Sequence, residues 1–143
     1  MIIFAPDLIR DLEINLCLNQ DNQLIMPYNM TIRDIAGLID GKVICCEDRL
    51  STSVEYAFAS DLMSDVLTVD KENILLITGL TNLQVIRTSE MSDINCVIVA
   101  RDKKVNDDMV RLAEENNIIL VESPHSVFHV SGELYKAGLK PIY

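Results

Sequence analysis

"ILLITGLTNLQVIR", residues 74–87, changes character halfway along. Its first residues are apolar without alternation, the mark of a strand covered on both faces. A short turn around Gly79 follows, and then a helix whose start is expected at Thr81, where Thr81 and Gln84 fit a capping box. The same unit recurs twice. "CVIVA" (96–100) precedes a helix expected from Asn106. "IILV" (118–121) precedes one expected from Pro124, with proline at a first helical position. Strands alternating with helices in this way predict a parallel sheet with helices on both faces.

Upstream, "TIRDIAGLID" places Ile32, Ile35, Ala36 and Ile39 at helical spacing behind a Thr31 cap. "KVICC" (42–46) and "VEYAF" (54–58) read as strands joined by the polar loop "EDRLSTS". No helix separates them, so "KVICC" is expected at an edge, running antiparallel. "SDLMSDVLTV" begins with Ser60 as its cap and sets Leu62, Met63, Val66 and Leu67 on one face. The later helices turn inward through Met109, Leu112 and Ala113, and through Val127, Phe128, Ser131, Leu134 and Tyr135.

Residues 1–29 read differently. Leu12, Ile14, Leu16 and Leu18 alternate with polar neighbours or Cys17, "QDNQ" supplies a turn, and "LIMP" is a second short run. The expectation is an N-terminal extension forming a β-hairpin, whose apolar face needs cover from the main domain or a second subunit. Residues 30–143 are expected to form an α/β domain, a three-layer α/β/α arrangement with a mostly parallel sheet.

Composition narrows function. The 143 residues carry 22 acidic and 12 basic side chains, a net charge of −10. That argues against a nucleic-acid or anionic-membrane surface, which needs clustered Lys and Arg. No apolar run reaches the roughly 18 residues of a transmembrane helix. The start "MIIFAPDLIRD" lacks a basic leader and cleavage site, so a cytoplasmic location is expected. The four cysteines form no C-x-x-C pair and fit reduced thiols, Cys45 and Cys46 pointing to opposite faces of a strand.

In open α/β sheets ligands gather at the carboxyl ends of parallel strands. Here those ends are "ASD" (59–61), "TGLTN" (78–82), "ARDKK" (100–104) and "ESPHS" (122–126). The candidate ligand-binding residues are therefore Ser60, Asp61, Thr78, Gly79, Thr81, Asn82, Arg101, Ser123, His125 and Ser126. Helix amino termini there favour an anion, and Arg101, Lys103 and Lys104 make a positive spot in an acidic chain. The structural alternative is that these residues only cap helices and turn corners.

Other chemistry finds less support. The five glycines never give G-x-x-x-x-G-K-[ST] or G-x-G-x-x-G, so a P-loop and a dinucleotide fingerprint are excluded. No G-x-S-x-G elbow occurs, and no catalytic residue or cofactor is expected. His125, His129 and Glu133 share one helix face with metal-compatible spacing, but the face is expected to be solvated, so no metal site is assigned.

The runs "ASDLMSDVL", "ILLITGLTNLQVIRTSEMSDINCVIVARDKK" and "LAEENNIILVESPHSVFHVSGELYKAGL", with the opening "MTIRDIAGLIDGKVICCE", resemble the DRTGG domain family, similar in fold to the N-terminal domain of HPr kinase/phosphorylase. The likeness spans about residues 30–139 and leaves out the hairpin. The string DRTGG itself is absent; its place falls at Thr78–Asn82, where only Gly79 matches. The resemblance implies a bacterial regulatory or dimerising module, without the P-loop a kinase needs. The expected function is a non-catalytic sensor of a small anionic or nucleotide-like ligand at the strand ends, dimeric with itself. The alternative is a ligand-free dimerisation or adaptor module acting through a protein partner.

Overall fold

The computed structural model describes residues 30–143 and, ahead of them, the short strands β1 (Cys17–Leu18) and β2 (Leu24–Ile25). These two pair antiparallel, Leu18 opposite Leu24, which is the expected hairpin. The rest of the expected hairpin, Leu12 to Leu16 and the turn "QDNQ", lies outside the described residues.

After β3 (Met30–Thr31) comes helix α1 (Ile32–Leu38), held by the expected cap: Thr31 and Asp34 form a reciprocal capping box. Its inward positions Ile32, Ile35, Ala36 and Ile39 are buried. Strand β4 (Lys42–Cys45) follows, then β5 (Ser53–Val54), paired antiparallel with β3, and β6 (Tyr56–Ala59). Four units complete the chain: α2 (Met63–Val66), β7 (Ile74–Thr78), α3 (Leu83–Met91), β8 (Cys96–Val99), α4 (Asp107–Glu115), β9 (Ile119–Glu122), α5 (Val127–Lys136) and β10 (Lys140–Pro141).

The main sheet has the order β10-β6-β7-β8-β9-β4. Its first five strands are parallel, and β4 runs antiparallel beside β9 at the edge, as expected. From β6 to β9 the chain steps one way across the sheet, and α2, α3 and α4 all cover one face. Between β9 and β10 it steps back, so a connection of the same hand must use the other face. That is where α5 lies, beside α1. Strand alternation feeds both layers: Leu75, Ile77 and Ile98 pack with α1 and α5, while Leu76, Val97 and Leu120 pack with α2 to α4.

Four helices end in the same way. Asp40, Asp93, Asn117 and Gly138 take positive φ just beyond α1, α3, α4 and α5. The following residue then donates its amide back to the helix: Gly41 to Ala36, Ile94 to Ser89, Ile118 to Ala113 and Leu139 to Leu134, at 2.8–3.1 Å. These are Schellman closures, in which Asp and Asn tolerate the left-handed turn nearly as glycine does.

Several local expectations are corrected. Thr81 is not the cap of α3; Asn82 is, its side chain accepting from Val85 N at 3.2 Å. Asn106 caps α4 as expected, but α5 starts after Ser126 rather than at Pro124. Ser60 caps no helix; its Oγ accepts from Leu62 N, and α2 begins without a side-chain cap. Because α2 is one short turn, Leu62 and Leu67 stay exposed while Met63 and Val66 are buried. In the stripe expected for α5, Leu134 is buried and Val127 and Ser131 are half-buried, but Phe128 and Tyr135 are exposed and Val130 lies in the core instead. Cys46 also departs from a strand. Its φ of 61° swings the thiol to the side of Cys45, so both Sγ atoms lie against Ile118 O, at 3.4 and 3.5 Å. Burial pushes the Cys45 thiol up to about 12, and Cys96 is raised for the same reason. Both are neutral core groups.

The cap correction carries a test. Asn82→Ala should cost about 1 kcal/mol of stability, and Thr81→Ala should stay within about 0.5 kcal/mol. Urea unfolding of the two variants reads the difference directly. A larger loss for Thr81→Ala would return the cap to Thr81.

Candidate functional site

The four loops at the carboxyl ends of β6, β7, β8 and β9 meet, and backbone hydrogen bonds bind them together. Ser60 N reaches Ile77 O at 3.0 Å, Ala100 N reaches Thr78 O at 2.9 Å, and Ser123 N reaches Val99 O at 2.9 Å. Within this rim the side chains form two groups.

The first centres on Gly79. Asp61 sends one carboxylate oxygen, Oδ1, to two donors: Thr78 Oγ1 at 2.8 Å and Gly79 N at 2.7 Å. Thr78 is fully buried, and its Oγ1 also accepts from Leu80 N at 3.2 Å. The turn at Gly79 needs no left-handed backbone, since among the described glycines only Gly138 has positive φ. Gly79 is small because Arg101 lies across it. A Cβ there would stand 2.8 Å from Arg101 Cδ, 3.1 Å from its Nη1 and 3.5 Å from Asp61 Oδ2. A guanidinium edge and a free carboxylate oxygen thus face the same bare patch of backbone.

Arg101 is held there by an unusual backbone. Arg101 and Asp102 both take left-handed angles, φ 68° and 56°. For arginine this costs roughly 1 kcal/mol. Two hydrogen bonds to the β9 loop offset it: Arg101 N to His125 O at 2.7 Å and Asp102 N to Ser123 O at 3.1 Å. The guanidinium itself has no ion pair or hydrogen bond among the described residues. Lys103 is likewise unpaired, but Lys104 leans toward Asp102 and the buried Glu122, each at 3.5 Å. Glu122 also receives Val105 N at 2.9 Å. The expected positive spot therefore narrows to Arg101 and Lys103.

The second group sits where the β9 loop meets the end of α1. Ser123 is buried; its Oγ donates to Ile39 O at 2.8 Å and accepts from His125 N at 3.3 Å. His125 Nε2 contacts Asp40 Oδ2 at 2.8 Å, and its ring stacks on His129 with centroids 4.1 Å apart. His125 precedes α5 rather than lying in it, and no group of three His, Cys, Asp or Glu among the described residues is arranged to hold a metal. Ser126 is occupied as the α5 cap, accepting from His129 N at 3.1 Å. Thr81 makes no hydrogen bond among the described residues, and Asn82 serves α3. The sequence reading missed Asp40 and Glu122. The "DG" after α1 was the available signal for Asp40, since Asp before Gly suits a left-handed closure.

Fold and rim together define an open α/β domain whose loops converge at the strand ends. The match to a family model is specific: DRTGG domain, over residues 34–137. The chain belongs to the DRTGG domain family, a family of regulatory domains. No curated protein matches it. Among solved structures it is similar to the CBS and DRTGG domains of the regulatory region of Clostridium perfringens pyrophosphatase, complexed with the activator diadenosine tetraphosphate. The identity is 14% and the TM-score 0.63, covering 90% of this chain and 65% of that one. At this identity the likeness shows the fold. Among the described residues no helix is long and apolar enough to cross a membrane.

Proposed function

We propose that this chain is a non-catalytic regulatory module of the bacterial cytoplasm that binds a nucleotide-like ligand at the rim and acts as a homodimer. In this reading residues 1–29 are an extension and residues 30–143 the regulatory domain. The observation that carries it is Arg101, an unpaired guanidinium held over Gly79 by a strained backbone. Strain of this kind collects at binding sites, where surrounding structure holds a group in place.

Asp61 sharpens the ligand class. Its carboxylate lies beside Arg101, so a bare phosphate would meet an acceptor as well as a donor. A ligand with hydroxyl or amino donors on one part and phosphate on another satisfies both, and a nucleotide has this layout. The activator bound by the similar regulatory region is a nucleotide too, which supports the same class.

Thermal unfolding against adenine and guanine nucleotides, acetyl phosphate and inorganic phosphate tests this. A ligand at 100 times its Kd adds about 2.7 kcal/mol, on the order of 5–10 °C for a chain this size. At least one nucleotide should give that shift and the simple phosphates none. Arg101→Ala should weaken binding about tenfold to a hundredfold, the worth of a charged hydrogen bond. A panel of nucleotides that leaves the melting temperature unmoved would sink the sensing reading. It would favour instead a ligand-free adaptor, for which the exposed aromatic side of α5 speaks.

A further inference from the structure

Helix α5 turns an apolar side outward. Phe128 is 87% exposed and Tyr135 68%, and Gly132 stands between them on the helix surface. Beside this ridge, between α5 and the β6–β10 edge, runs a groove of about 320 Å³ floored by Ala57, Ala59, Ile77 and Leu139. Ser131 lines it, and its Oγ is buried without a hydrogen-bond partner. A Cβ on Gly132 would meet nothing within 4 Å. A ridge of exposed aromatic rings running beside an apolar groove is contiguous apolar surface, the kind that marks an interaction site.

We infer that this face is the two-fold interface between two copies of the chain, a deepening that rests on the dimeric part of the proposed function. The patch carries both a projecting ring and a hollow of apolar residues next to it. A self-complementary patch of that kind suits an isologous contact, with Gly132 near the axis allowing the two helices to approach. Area agrees. Aromatic rings bury about 150–250 Å² each, so four rings across the pair supply a large part of the roughly 1,200–2,000 Å² of a stable interface.

Sedimentation of the full chain tests the surface. The wild type should sediment at twice its 16.1 kDa, and Phe128→Glu and Tyr135→Glu at 16.1 kDa with unchanged circular dichroism. A wild type that is monomeric overturns the dimer reading and this surface together. A dimer that survives both substitutions leaves the dimer reading standing and overturns this surface alone. If Phe128→Glu proves unfolded, Gly132→Cys replaces it, since the site has room for the side chain. Under mild oxidation that variant should give a disulfide-linked dimer well above the wild-type background, and no increase overturns the inference. A Phe128→Glu chain that keeps its mass but melts lower would mean that the ring packs within its own chain, which also overturns it.

Discussion

Replacing Gly41 by valine is expected to lower the melting temperature by roughly 10 °C. Gly41 follows the left-handed Asp40 at the end of α1 and donates its amide to Ala36 O at 2.8 Å. A Cβ there would stand 2.7 Å from Val121 Cγ1 and 3.3 Å from both the Cα and the O of Ala36. Val121 lies in the middle of β9 with no exposure, and Ala36 contributes backbone, so neither neighbour can step aside. Overpacking of this sort costs about 1–3 kcal/mol, and the extra methyl groups of valine put it near the top of that range. About 3 kcal/mol converts to the stated shift for a chain of this length. Gly41→Ala should fall between valine and wild type. A valine variant melting within a degree or two of wild type would mean that α1 and β9 are not in this contact.

The same change at Gly79 should do the opposite: spare the fold and remove the ligand response. There the obstacle to a Cβ is the far end of the exposed Arg101 side chain, which can swing away. The stability loss should therefore be about 1 kcal/mol or less. Binding suffers more than in Arg101→Ala, because valine both expels the guanidinium and fills the patch between it and Asp61. No nucleotide-induced thermal shift should remain. A Gly79→Val protein that still gives the full shift would move the ligand elsewhere on the molecule.

Much of the architecture was legible because burial on both faces leaves a plain trace. The unbroken apolar runs of β7, β8 and β9 could be little else than interior parallel strands. The edge position of β4 also followed from chain order. What failed was phase. Thr81 and Asn82 are adjacent residues of similar capping strength, and only the structure decides between them. In α5 the apolar spacing fits two overlapping faces, and packing chose the one through Val130 and Leu134, which leaves Phe128 and Tyr135 outside the core. At the rim, residue types were readable but relations were not. The contact of His125 with Asp40 spans 85 positions, and the laying of Arg101 across Gly79 depends on two successive left-handed residues that nothing in "ARDKK" announces.

The strand order has a kinetic side. Neighbours β6, β7, β8 and β9 are joined by short local crossovers, so this central block can assemble from nearby chain. The two outer strands are different: β4 must find β9, and β10 must find β6, each across about 80 residues of sequence. Loop closure makes such pairings late. The barrier to folding should therefore lie in closing the sheet's margins rather than in forming its middle. Until then a partly folded chain presents two open strand edges, the state in which it is most exposed to association with other copies.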